Sequence, residues 1–327
     1  MFSRICENVF PGRLSFTVEI VMGPAGLVGV FPQRVGQRIK MEKKIMRIVF
    51  IVLALAYVCK AETASGQIFL GAGPEALGGA GRANNNGMDA HFLNPAGIAF
   101  SRGTAFGGAF QEGDLSTPNP VNNYDLEVID NDTSNIISGG IAYVTKRSSF
   151  PANTTNDQDL SISFAGHIFP TMGIGVQGHR LYTQNSNGPA FVKYNTTIGF
   201  LAVPRPWFGL AFVAYDIFND PNGVTVPTFA VGSNFVIQDL FRIRVDAVRP
   251  ELQNPNHAAI ISGGVEFNLG YSLLLRTGGQ WNNIASQDYF CVGMGFEGPK
   301  LNVGYAYRTN VNVDGDAFHT FEAWLTF

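Results

Sequence analysis

No run of about 20 apolar residues, the length a helix needs to cross a bilayer, occurs anywhere in the chain. That excludes a helical membrane protein. Charge is scarce as well: 14% of the 327 residues are charged and the formal net charge is -3, so nothing in the balance points to nucleic acid. Cysteine is limited to Cys6, Cys59 and Cys291, too few for a disulfide framework or a cysteine metal site. The five histidines, His91, His167, His179, His257 and His319, have no serine beside them in a nucleophile motif. No enzyme, no cofactor and no bound metal are therefore expected. Long amphipathic helical stretches are also missing after the first 66 residues, so no helical layer is on hand to cover a sheet.

Present instead are 38 Gly and 27 Phe at a mean hydropathy of +0.09. Alternation explains how so apolar a chain averages to near zero. Leu301, Val303, Tyr305 and Tyr307 alternate with Asn302, Gly304, Ala306 and Arg308. After a polar turn at 310–316, Phe321, Ala323, Leu325 and Phe327 alternate with Thr320, Glu322, Trp324 and Thr326. Side chains of a strand point to opposite faces in turn, so this is a hairpin with one greasy and one mixed face. With no helices or second sheet to cover the greasy face, lipid is its expected solvent.

The fold expected is thus all-β: a transmembrane antiparallel barrel of about fourteen strands over 101–327, with an internal plug segment before it. Further alternating runs lie at 104–111, 124–128, 136–145, 160–168, 172–177, 192–200, 207–216, 228–237, 240–249, 259–269, 271–281 and 289–297. Short connections such as Pro170-Thr171 and Gln238-Asp239 alternate with longer polar ones, the asymmetry of barrels with tight periplasmic turns and longer outer loops. The run at 124–128 is weak. It is required, because one inward strand must lie between the two outward ones at 104 and 136. The arithmetic agrees, since fourteen strands of ten residues leave roughly six residues per connection.

Ahead of the barrel, residues 1–40 show no sustained period and are expected to be an upstream extension, with translation starting at Met41 or Met46. Lys43, Lys44 and Arg47, the apolar run Ile48 to Val58 and the small residues Ala61, Ala64 and Gly66 read as a signal peptide over 41–66. Only Cys291 then remains in the mature chain. Residues 67–100 are Gly-rich and irregular, and irregular backbone at membrane depth must sit inside the protein. Gly71, Gly73 and Ala76 match a dinucleotide fingerprint, but Pro74 interrupts it and no crossover helix follows.

The Gly-rich opening followed by Asn94, Pro95, Ala96 and Gly97, just before an all-strand region, resembles the FadL-type long-chain fatty acid transporters and their relatives in the PorV/PorQ group. The resemblance implies a hatch inside a fourteen-stranded barrel, with the Asn-Pro-Ala turn belonging to it. It further implies that glycines in an early strand, here Gly139 and Gly140, permit an inward kink and a sideways opening toward the membrane. The chain is shorter than typical FadL-type transporters, a departure that favours the PorV-like branch. A terminal aromatic after alternating apolar residues, here Phe321, Leu325 and Phe327, resembles the assembly signal of outer-membrane proteins. The expected partners follow: outer-membrane lipid, the assembly machinery, and either a hydrophobic ligand or secretion-system proteins.

The inward face is expected to carry His167, Arg242, Arg244, Asp246, Glu266, Arg276, Arg308 and Glu322 as a polar network filling the lumen. Trp207, Trp281 and Trp324 lie near strand ends and are expected in interfacial girdles. Asp130, Asn131 and Asp132 read as turn chemistry in place of a calcium loop.

Overall fold

The structure is a computed structural model. It describes residues 70–327 apart from 85–87, 102, 114–120, 132–136, 151–152, 187, 219–225, 251–258 and 283–287. The expected extension at 1–40, the signal peptide at 41–66 and the first residues of the plug lie outside the described residues.

Fourteen antiparallel strands form a closed barrel in which each pairs with its sequence neighbours and β1 pairs β14. They are β1 Gly103–Gly113, β2 Val121–Asn131, β3 Ile137–Phe150, β4 Asn153–Phe169, β5 Met172–Asn185, β6 Phe191–Arg205 and β7 Phe208–Tyr215. The second half is β8 Thr228–Ile237, β9 Phe241–Pro250, β10 Ile260–Gly270, β11 Leu273–Trp281, β12 Tyr289–Glu297, β13 Leu301–Asn310 and β14 Ala317–Thr326. Closure removes the two unpaired edges that an open sheet would present, a necessity where no water can satisfy them. The closing pair runs from Ala105↔Thr326 to Gly113↔Phe318, and the Phe327 amide extends it by donating to the Thr104 carbonyl at 2.8 Å.

Alternation survives as two faces. Leu126, Ile141, Phe164 and Phe321 point outward and are each about half exposed, while their neighbours Glu127, Ala142, Ser163 and Thr320 are buried. In water such an outer face would be a liability, whereas hydrocarbon solvates it without cost. The chain is therefore a membrane-spanning barrel. Trp207 in the 206–207 turn and Trp281 at the far end of β11 both stand outward, at opposite rims of the wall. Trp324 does not. It lies two residues from Glu322 and shares its inward face, so it lines the lumen and no girdle.

The strands β3 to β6 run 14, 17, 14 and 15 residues, longer than the ten expected, and the β3–β4 connection shrinks to 151–152. Their added length carries polar side chains outward, among them Arg147 and Arg180, so the ladder continues where the apolar belt has stopped. Pairing and polarity are separate constraints, and the sequence pattern reports only the second.

The inner segment comprises a short helix α1 (Ala72–Ala76), a single turn α2 (Ala90–Leu93) and a 3-10 helix η1 (Pro95–Phe100). It is buried against the inner face of the wall, with Leu77, Leu93 and Ile98 essentially inaccessible. Burying each such side chain contributes about 1.5–3 kcal/mol.

Candidate functional site

The lumen is the candidate site, and its shape is set by the inner segment. That segment makes a circuit of the wall, touching the strands in roughly the reverse of their order. Glycines on the wall mark its track. A Cβ at Gly293 of β12 would meet Ala76 at 2.5 Å, and one at Gly278 of β11 would meet Leu77 at 2.5 Å. Farther round, a Cβ at Gly209 of β7 would meet the Ala83 carbonyl at 2.8 Å, one at Gly199 of β6 would overlap Asn94 Oδ1 and one at Gly175 of β5 would overlap Pro95. No real Cβ tolerates such distances, so these glycines provide clearance for a second layer of backbone.

Gly140 belongs to this track: its missing Cβ leaves room for His91 Nδ1 at 2.9 Å. Gly139 faces the other way, with only the Ser163 carbonyl and the Phe164 ring near it. Both residues are paired on each side, Gly139 with Asp130 and Phe164, Gly140 with Ile129 and Ser163, with no shift of register. The pairing therefore continues through both glycines. Among the described residues, register shifts occur beside tight turns, at His167/Phe169, Ala202/Arg205 and Asn268/Gly270.

Asn94, Pro95, Ala96 and Gly97 anchor the last part of the circuit. The Asn94 side chain caps η1 by accepting from the Ala96 amide at 3.1 Å, and Pro95 takes the first helical position, where its missing N–H is no loss. The same side chain donates to the Arg82 carbonyl at 3.0 Å and the Phe200 carbonyl at 3.2 Å, so one amide joins two parts of the segment to β6. Gly97 packs on Ala90, where a Cβ would stand 2.9 Å from the Ala90 Cβ. Asn131 closes the circuit at β2 by donating to the carbonyls of Ile98, at 3.1 Å, and Ala99, at 3.0 Å, and also to that of Ser101. It is an anchor for the inner segment and not the turn residue that Asp130-Asn131-Asp132 suggested.

The inward charges do not form one network. Glu266 gathers three guanidiniums on the wall: Arg276 at 2.7 Å, Arg242 at 2.8 Å and Arg244 at 3.5 Å. The other members reach the inner segment. Asp246 accepts from the Gly81 amide at 2.8 Å, the Arg82 amide at 2.9 Å and Arg82 Nη1 at 3.0 Å. Arg308 pairs with Glu75 at 3.1 Å, and Glu322 accepts from the Gly73 amide at 3.4 Å. His167 stands apart at the turn-side rim, edge-on to the Phe100 ring at 4.6 Å. The inward direction of all eight was legible from alternation; their partners were not, because the partners lie on a segment with no period.

Several residues of the site carried no signal of their own in the sequence. Tyr215 accepts from Arg82 Nε at 2.9 Å and donates to the Leu93 carbonyl. His179 bridges Asp159, at 3.2 Å, and Asp216, at 2.8 Å, tying β4 and β5 to the residue after β7.

Two chambers flank the circuit. One of about 240 Å³ faces the longer connections and is lined by Glu75, Arg82, Gln111, Lys146, Tyr215 and Arg308, among others. The second, of about 320 Å³, faces the tight turns and is lined in part by Met88, Asp89, Arg242, Arg276, Glu322 and Trp324. Both mix polar and apolar groups. Such chambers are of a size to hold a small ligand, and charged groups in both could orient it.

No protein-family model matches the chain, and no curated protein matches it in sequence. Solved structures do match in fold. The CymD monoaromatic hydrocarbon channel superposes with a TM-score of 0.62 at 12% identity, covering 81% of this chain and 99% of its own. The toluene transporter TbuX of Ralstonia pickettii gives 0.60 at 10% identity, with 80% and 98% covered. A FadL homologue of Pseudomonas aeruginosa gives 0.54 at 12%, with 81% and 99% covered. At such identities the likeness is one of fold.

Proposed function

We propose, from a fold shared with FadL-type channels, that this barrel lies in the outer membrane and passes small hydrophobic molecules across it without an energy source. The observation that carries the reading is the lumen itself: a wall-hugging inner segment with one chamber on each side, in place of either an open pore or a filled core. A solute binding in one chamber and then the other would have to pass the inner segment, and some of that segment's ties to the wall would have to loosen for it to do so. Fatty acids are one substrate class this reading admits; monoaromatic hydrocarbons, the solutes named for CymD and TbuX, are another. Phe321, Leu325 and Phe327 would serve the assembly machinery from the lipid side of β14, where all three are exposed.

The test is uptake of labelled toluene and labelled long-chain fatty acid by liposomes carrying the protein. Uptake above that of protein-free liposomes supports the reading, and its absence for both overturns it. A second reading, a PorV-like docking component of a secretion system, is favoured by one observation: the polar outer face of the elongated strands β3 to β6. Co-purification with a secretion complex, without uptake, would replace the first reading by the second.

A further inference from the structure

Beside the turn-side chamber lies a recess of about 20 Å³ walled by four carboxylates. Asp89 comes from the inner segment, Asp125 and Glu127 from β2 and Glu322 from β14. Glu127 is 2% exposed, and neither of its carboxylate oxygens has a hydrogen-bond partner. Asp125 accepts from the Ala109 amide and Glu322 from the Gly73 amide. Among the described residues no ion pair reaches any of the four. Arg244 and Arg276 stand on the chamber side, and both are held by Glu266. Arg276 still offsets the charge of Asp89 and Glu322 from across the chamber, and Arg244 that of Asp89, but among the described residues no cation acts on Asp125 or Glu127. A buried carboxylate in that position is costly, and a cation entering beside it relieves the cost.

The recess and the chamber share Met88, Asp89, Glu322 and Trp324 as lining, so a head group in one would carry its body into the other. A void of this size holds a group about as large as one water. Among the described residues no acidic, histidine or cysteine side chains converge as a metal's ligands must. An ammonium asks less of its site, since it donates three separate hydrogen bonds and needs no common centre. Trp324 adds an aromatic surface suited to the body or to the charge itself.

We propose that the turn-side chamber binds primary amines with a small apolar or aromatic body. The ammonium enters the carboxylate recess, with Glu127 as the principal acceptor, and the body lies in the chamber against Trp324. This names a substrate class for the passage reading and rests on it for any role in transport, but the binding itself can be measured without transport.

Calorimetric titration of the purified full-length barrel in detergent, with benzylamine, benzyl alcohol, benzoate and calcium chloride as probes, decides it. Benzylamine is expected to bind at least tenfold tighter than benzyl alcohol, and benzoate not to bind. Glu127→Gln is expected to weaken benzylamine at least tenfold and so to remove most of its preference over benzyl alcohol, and Asp125→Asn supplies the same comparison should Glu127→Gln fold poorly. Equal affinity for amine and alcohol, no effect of either variant, or calcium binding with no amine preference would overturn the proposal. Benzylamine binding without toluene or fatty acid uptake would leave this site standing and remove the passage reading; uptake with no amine preference would do the reverse.

Discussion

Removing the Asp246 carboxylate should free the inner segment without unfolding the wall. Asp246 Oδ2 accepts the amides of Gly81 and Arg82 and the Arg82 guanidinium, all within 3.0 Å, and the ion pair is buried on both sides. Arg82 has other partners as well, among them the Gly79 carbonyl at 3.1 Å and Tyr215 at 2.9 Å. Asp246→Ala would remove one side of a buried ion pair, which costs about 3–5 kcal/mol. The strand β9 keeps its ladder to β8 and β10 through backbone groups alone, so the loss falls on the segment and not on the barrel. At about 1.4 kcal/mol per tenfold, local detachment of residues near 79–83 should rise by two to more than three powers of ten. Amide hydrogen exchange at Gly81 and Arg82 reads this directly, with β9 amides as the internal reference. Asp246→Asn, which keeps one acceptor, should fall between wild type and Asp246→Ala. In Arg82→Ala/Asp246→Ala the two losses should be less than additive, because neither charge is then stranded. Unchanged exchange at Gly81 in Asp246→Ala, or strictly additive losses, would refute the argument that this pair holds the segment to the wall.

Other outcomes follow from the same geometry. Gly175→Leu places a side chain where the Pro95 carbonyl carbon stands 2.3 Å from the missing Cβ, so the circuit should leave β5 and protease cleavage near residue 95 should appear; Gly178→Ala, with nothing within 4 Å, should behave as wild type. Asn94→Ala removes a cap and two ties, and the segment should lose about 1–2 kcal/mol of local stability, seen as faster exchange at the Ala96 amide. Tyr215→Phe removes the hydroxyl's bonds to Arg82 Nε and the Leu93 carbonyl, with a loss of about 1–3 kcal/mol read by the same exchange experiment. Deleting Phe327 removes one bond of the β1–β14 seam and a lipid-facing ring. Assembly yield in cells should drop, while refolding in detergent should change little, because the remaining closing pairs are intact.

Strand number and facing were determined by the sequence alone. A period of two needs no tertiary knowledge, and it placed β8 and β12 to the residue, along with the inward direction of Arg242, Glu266 and Arg308. Even the weak strand β2 was required by counting, because two strands of like direction in an antiparallel barrel must have an odd number of strands between them. Asn94 to Gly97 stood out in the sequence only as a turn signal and through the resemblance; that Asn94 caps a short helix beginning at Pro95 came from the structure.

What tertiary structure decided is everything that depends on the aperiodic inner segment. Gly140 also gives clearance for His91, a residue 49 positions earlier whose approach no pattern announces. Asp246 looked like a wall charge awaiting a wall arginine and instead holds Arg82 across 164 residues. The physical reason is one of range. Alternation is written by the solvent on each side of the strand, and every residue records it locally. The partner of a buried charge, and the neighbour that forbids a Cβ, are set by where a distant part of the chain comes to lie.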